Sequence, residues 1–358
     1  MKMEEHRGRR DSTEDTEGRH KSNDSRLPHF HPLSMKPIRT LLTATALAGS
    51  GLLAYAWTGE RPRMTLQPYL VRWAPAAGLK ILHLSDQHFG REDWIQRRRL
   101  DKTLGMVARL RPDLILLTGD FLHDDAGLVA VEKLLRGLPP ARLGVYAVLG
   151  NHDYAVYSYG ELFRNMAEQV HAAASPQRKL EALVQETGQL ARLAWNIYRN
   201  ERLRFAAIPN DVAELRRLLA IYGVTLLDNR AMPLPGRPEL WIAGVDDLVE
   251  GAPRLEETLA SVPDDADVIL LTHNPDLAFA PEAARAGLIF SGHTHGGQVV
   301  LPRLGAIHTQ GTRLPRSQPA GYFGHLPGGG QMIVSRGMGE STPFRFRCPP
   351  EVVWVEVV

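Results

Sequence analysis

His293 and His295 stand one residue apart in Ser291-Gly292-His293-Thr294-His295-Gly296-Gly297-Gln298. A neutral imidazole nitrogen is the commonest protein ligand for a transition metal. In an irregular turn after a strand, this spacing aims both rings into one cleft, and the flanking glycines let the backbone pass close to whatever lies there. A His-x-His pair alone is weak evidence, because surface histidines fall into that spacing by chance. Four more segments share its form: Asp86-Gln87-His88, Gly119-Asp120, Gly150-Asn151-His152-Asp153 and Thr272-His273-Asn274. Each could be a polar turn or a helix cap if met singly. Together, and each after an apolar run, they describe a metal site.

With His152 and Asp153 set aside, the donors are Asp86, Asp120, Asn151, His88, His273, His293 and His295. Mixed imidazole and carboxylate ligation suits zinc, manganese or iron. The donors are too many for one ion and sufficient for two that share a bridging group. Two divalent ions about 3.5–4 Å apart would stabilise both the attacking and the leaving oxygen of an in-line displacement, with a metal-held hydroxide as nucleophile. The single cysteine, Cys348, excludes an intrachain disulfide, a Cys-rich zinc site and an iron–sulfur cluster. A buried bystander thiol is its expected role.

The elements that must position these donors alternate strand and helix. Lys80–Leu84, Asp113–Leu117 and Gly144–Leu149 read as strands, with helices over Trp94–Arg109 and Val129–Leu138. Further on, strands are expected at Thr225–Leu227, Glu239–Gly244, Asp267–Leu271 and Ala286–Phe290, and helices at Asp211–Tyr222 and Pro253–Ala260. Gln331–Ser335 and Val352–Val358 read as closing strands, and Gly328-Gly329-Gly330 as a turn. The strands are nearly continuous apolar runs, as expected when both sheet faces are covered. The fold class is therefore α/β. In such sheets the ligand crevice lies at the carboxyl ends of the strands, which is where the five segments fall.

Three regions depart from this alternation. Residues 1–34 are polar, mixed in charge and poor in aliphatic side chains, so they are expected to be a disordered tail; Met35 is an alternative start. Lys36-Pro37-Ile38-Arg39 then precedes a run without charges from Thr40 to Trp57. Basic residues before an apolar run fit a signal peptide or anchor, so residues 35–58 are expected to hold the chain at a membrane. The cytoplasmic face is favoured and the outer side kept open, because Arg61, Arg63 and Arg72 follow the run. Residues 157–209 show no strand pattern; their apolar residues follow helical spacing and predict a helical insertion. The net charge of +2, with both signs mixed along the chain, gives no argument for nucleic acid.

In their order and form, D-x-H, G-D, G-N-H-D, a lone His and G-H-x-H resemble the calcineurin-like metallophosphoesterase family. The resemblance covers residues 79–358 and implies a four-layer α-β-β-α sandwich with a dinuclear metal centre. By this resemblance Asp86, His88, Asp120 and His295 hold one metal, and Asp120, Asn151, His273 and His293 the other. His152 would protonate the leaving oxygen or steady the transition state, and Asp153 would orient His152. Gly296-Gly297-Gln298, Asn274-Pro275-Asp276 and the apolar run resemble the family's membrane-associated branch. Asn151-His152-Asp153-Tyr154-Ala155 before an insertion, and the late Arg336-Gly337 and Cys348-Pro349-Pro350-Glu351, look like the UDP-2,3-diacylglucosamine pyrophosphatases of lipid A synthesis. That likeness implies a lipid-linked nucleotide as substrate, the membrane surface as a partner, and two manganese ions as cofactors, with zinc or iron as alternatives. Arg91, Arg336 and Arg345 are candidates for a pyrophosphate clamp by type and location. Rival readings are a general metallophosphodiesterase or phosphatase, and a metal-dependent binding scaffold.

Overall fold

The computed structural model describes residues 49–52, 54–157, 188, 191–192, 195–202 and 207–358. The expected tail lies outside the described residues, as do the first half of the apolar run and most of the insertion.

Two six-stranded sheets form the frame. The first contains β1 (Thr65–Val71), β2 (Lys80–Leu84), β3 (Leu114–Thr118), β4 (Val145–Val148), β5 (Val224–Leu226) and β12 (Glu351–Val357), in the order β1-β12-β2-β3-β4-β5. The second contains β6 (Arg230–Leu234), β7 (Arg237–Gly244), β8 (Asp267–Leu271), β9 (Leu288–Ser291), β10 (Gly321–Phe323) and β11 (Gln331–Val334), in the order β10-β11-β9-β8-β7-β6. The pairs β2–β3, β3–β4, β7–β8 and β8–β9 are parallel, so their carboxyl ends face one way within each sheet.

Alternation along each strand explains the layers. Ile81, Leu114, Leu116 and Val148 meet Ile242, Ile269, Leu271 and Phe290 between the sheets. Their neighbours Leu82, Leu84, Ile115 and Leu117 point the other way, onto helices α1 (Trp94–Val107), α2 (Leu128–Arg136) and α3 (Val212–Ile221) through Leu100, Val131, Leu134 and Leu215. Val268, Leu270 and Ile289 cover the far face of the second sheet, against α4 (Leu255–Ala260) and the turns around Ala278 and Ala283. Both faces of these strands are buried, which is why they read as unbroken apolar runs. The result is the expected α-β-β-α sandwich.

β1, β6 and β10 had no sequence signal. β1 is an edge strand alternating half-buried and exposed residues, with Pro68 inside it. The ends of the expected helical insertion are not helical: Ala155–Tyr157 pairs antiparallel with Ala207–Pro209. Between them, 195–199 is helical. Its neighbour Asn200 ties the arm to a later loop through Thr309 Oγ1 (2.8 Å) and the Thr312 carbonyl.

Among the described residues no helix is long and apolar enough to cross a membrane, which overturns the expected placement at a membrane through residues 35–58. The described end of that run belongs to the globular fold. Tyr55–Gly59 is a π-helical turn; the Ala56 carbonyl accepts from Arg345 N–H (3.0 Å), and the Trp57 ring meets Phe344 edge-on. Just beyond it, the Glu60 carboxylate accepts from the N–H groups of Arg347 and Cys348, and Arg61 pairs with Glu340 at 2.6 Å.

Candidate metal centre

The seven predicted donors converge where the carboxyl ends of the two sheets meet. Asp86 and His88 follow β2, Asp120 follows β3, and Asn151 opens the helical turn Asn151–Tyr154 after β4. His273 follows β8, and His293 and His295 follow β9. Five of the seven, Asp86, His88, Asp120, His293 and His295, have φ between 47° and 71°. This left-handed region is uncommon for residues other than glycine, and Asp, Asn and His tolerate it best. Such turns swing each side chain off its strand axis and into the crevice. Strained backbone of this kind clusters at functional sites. Gly150 and Gly292 make room: a Cβ on Gly150 would collide with Asp120 and the His273 ring, and one on Gly292 with Ser85 and Asp86.

Two groups of atoms face each other. His88 Nε2 lies 3.0 Å from His295 Nε2 and 3.2 Å from Asp120 Oδ2, with His295 Nε2 3.6 Å from Asp86 Oδ1. Across Asp120 Oδ2, at 3.2 Å, stands His273 Nε2; His293 Nδ1 is 3.3 Å from that nitrogen and 3.1 Å from Asn151 Oδ1. Asp120 Oδ2 is thus common to both groups. His273 Nδ1–H donates to the Thr118 carbonyl at 2.7 Å, which fixes its tautomer and turns Nε2 inward.

These contacts fit divalent cations. At most one proton can sit between two ring nitrogens, whereas a cation satisfies the lone pairs of both. All seven side chains are buried. Burial, then the His273 charge, pushes the His293 pKa down to about 3; burial and then His88 lower His295. Both therefore present the neutral, ligating form. Burial would raise the Asp120 carboxyl, but the charge of His273 holds it well below its ordinary value.

His152 is buried beside the donors, its ring edge-on to His88 at 4.4 Å between centroids, and its backbone N–H donates to Asp120 Oδ1 at 2.8 Å. Asp153 does not orient the His152 ring. Its carboxylate accepts from the backbone N–H groups of Asp120 and Gly150 (both 2.9 Å) and Leu122 (3.0 Å). It clamps the two turns that carry Asp120 and Asn151.

The three arginines separate. Arg91 is exposed on the wall of a cleft that includes His88, and among the described residues it makes no ion pair. Arg336 is engaged by Glu351 (2.6 Å from Nε), and Arg345 is fully buried, spending its guanidinium on the carbonyls of Arg336, Gly339 and Cys348. Neither of these two is free to clamp a pyrophosphate. Their carbonyl and carboxylate partners come from distant or turn segments that spacing does not reveal.

Two residues near the centre were missed. Asp247, fully buried after β7, accepts from the N–H groups of Val249 and Glu250; burial raises its pKa to about 6. Its signal was present, since Val245-Asp246-Asp247 is another strand end with acids. His123 stacks on His152 at 6.1 Å and stands 6.4 Å from His88.

Residues 79–297 match the family model of the calcineurin-like phosphoesterases. The chain belongs to that family. As a calcineurin-like phosphoesterase it is a hydrolase, and its relatives agree. It is 26% identical over 324 residues to the UDP-2,3-diacylglucosamine pyrophosphatase LpxG of Chlamydia trachomatis, covering 86% of this chain and 94% of that protein. It is 27% identical over 281 residues to the metallophosphoesterase YkuE of Bacillus subtilis, covering 77% of each. With the phosphodiesterase YaeI of Escherichia coli it shares 26% identity over 293 residues, covering 79% of this phosphoesterase and 83% of that one.

Proposed function

We propose that this phosphoesterase hydrolyses the pyrophosphate bond of UDP-2,3-diacylglucosamine, releasing UMP and the acylated sugar phosphate, lipid X. The observation that carries the reading is the end-to-end similarity to LpxG, 94% of whose length is covered. The converging donors support the hydrolytic chemistry.

In this reading Asp86, His88, Asp120 and His295 hold one divalent ion, and Asp120, Asn151, His273 and His293 a second, both manganese. When bound, such ions activate water and neutralise charge on the phosphoryl oxygens. The water oxygen bonds to phosphorus and releases its proton to solvent, the bridging P–O bond breaks, and its electron pair leaves with the departing phosphate. His152 serves that departure. Burial and the neighbouring His88 hold its pKa well below the ordinary value, so the ring is neutral. It steadies the departing oxygen by donating a ring N–H, without giving up the proton. Asp153 keeps the Asp120 and Asn151 turns in place, and Arg91 faces substrate phosphate.

Incubation of the manganese-loaded chain with UDP-2,3-diacylglucosamine, followed by phosphorus NMR, should show UMP and the acylated sugar phosphate. An intact substrate would reject the assignment. The similarity to YaeI favours a second reading, a general phosphodiesterase. Hydrolysis of bis(p-nitrophenyl) phosphate without attack on the acylated nucleotide would select it. Turnover in His152→Ala equal to wild type would remove the role given to His152, and no turnover in wild type would favour a binding scaffold.

A further inference from the structure

A cleft of about 260 Å³ opens beside the metal centre, and His88 forms part of its wall. Arg61, Arg91, Gln96, Arg99 and His123 also line it. Gln96 is 6% exposed, yet its side-chain Oε1 has no hydrogen-bond partner. A buried amide oxygen without a partner is costly, and such a group marks a place where a ligand or water completes the bonding. At the rim stands Arg91, exposed and without an ion pair among the described residues. Behind the cleft, one carboxylate, Glu340, faces three guanidiniums, those of Arg61, Arg99 and Arg345. With buried Arg345 that cluster is net positive, while the lining itself holds three guanidiniums, Arg61, Arg91 and Arg99, and three carboxylates. Two further acids line the cleft, and each already spends an oxygen on backbone: Asp93 Oδ1 caps α1 at Gln96 N–H, and Asp124 Oδ1 accepts from Ala126 N–H.

We propose that this cleft binds the phosphate that is not attacked, so that the enzyme selects diphosphate esters over simple phosphodiesters. The inference rests on the phosphoester-hydrolase reading above and is independent of the acylated sugar. The two phosphorus atoms of a diphosphate share one bridging oxygen. A phosphate held at the metal centre therefore delivers its neighbour into a space that begins at a ligand, and this cleft begins at His88. Arg91 offers a planar fork of donors matched to phosphate oxygens, the geometry of bidentate recognition. Gln96 offers amide N–H donors, and its Oε1 accepts from a protonated phosphate oxygen or an ordered water. A substrate with a single phosphate puts no anion there and gains nothing from the cleft.

Calorimetric titration of the manganese-loaded full chain with UDP and with UMP tests this without requiring turnover. Wild type should bind UDP at least tenfold more tightly than UMP. In Arg91→Ala, at an exposed position, and in Gln96→Leu, that preference should fall to about threefold or less, and Arg91→Lys should restore part of it. Equal affinity for UDP and UMP in wild type, or a preference that survives both substitutions, would overturn the assignment. Hydrolysis of the diphosphate bond of UDP and of bis(p-nitrophenyl) phosphate, followed in parallel, reports on the hydrolase reading itself. If both activities are absent while the UDP preference holds and responds to the variants, the cleft stands and the hydrolase reading fails.

Discussion

The metal centre and the Glu340 cluster are both buried, charged and assembled from distant segments, yet their polar atoms are satisfied in opposite ways. In the cluster, the Glu340 carboxylate meets Arg61 at 2.6 Å, is hydrogen-bonded by Arg99, and lies 3.5 Å from Arg345 Nε, while the remaining Arg345 nitrogens reach carbonyls. In the metal centre, donors face donors. His88 and His295 turn Nε2 toward each other, and Asp86 Oδ2 and His293 Nε2 have no protein partner. A cluster that closes on itself holds a fold together, whereas one with valence left over is built for something else. Backbone geometry draws the same line, because five of the seven donors sit at positive φ and no member of the Glu340 cluster does.

The contrast can be broken in order of expected effect. Asp120→Asn removes the oxygen common to both donor groups. Hydrolysis should fall about a hundredfold to a thousandfold, the scale of losing one preorganised charge-stabilising group, and bound metal measured by elemental analysis should fall with it. Retained metal and rate would mean that the centre does not depend on that oxygen. Glu340→Gln should do the reverse: metal stays, and the melting temperature drops by the equivalent of about 3–5 kcal/mol, because buried guanidiniums lose their counter-charge.

That second variant carries a pH signature. Burial alone would raise the Glu340 carboxyl, but Arg99, Arg345 and Arg61 hold it below the ordinary 4.5. A depressed folded-state value contributes stability that is present above the unfolded value and lost as pH falls through the folded one. The gap in melting temperature between wild type and Glu340→Gln should therefore be widest above pH 4.5 and close as the solution is made more acidic. A gap constant across the acid range would contradict the pairing. The smallest effect is expected from Tyr157→Phe. It removes the hydroxyl bond to Glu250 (2.6 Å) and keeps the ring against His152 at 4.7 Å. About 1 kcal/mol of stability should go, with a rate change of a few fold.

The comparison also explains what the sequence disclosed. That the seven predicted donors would gather at strand ends was legible because those strands are apolar on both faces and short enough to locate. The turns that aim the side chains were not legible, since a left-handed Asp or His looks the same in sequence as any other. Asp153 was misjudged for a related reason: neighbouring a histidine in sequence says nothing about where a carboxylate points, and backbone N–H groups from two turns captured it. Arg336 and Arg345 look like free cations until Glu351 and the 336–339 carbonyls are brought to them by the fold. The apolar stretch ending at Trp57 reads as an anchor because its polar neighbours, Glu60 and Arg61, find their partners about 280 residues away.

Those two residues have a practical bearing on how the protein is cut. The loop they grip, from Gly337 to Cys348, runs directly beneath the centre: Gly339 N–H donates to the Asp86 carbonyl, and the Cys348 thiol lies 3.2 Å from the His295 carbonyl. A recombinant chain begun at residue 79, where the family likeness starts, would discard Glu60, Arg61 and the outermost strand of the first sheet in a single stroke. Expression boundaries drawn from the homology alone would thus undermine the floor of the candidate site while leaving all seven predicted donors in the clone.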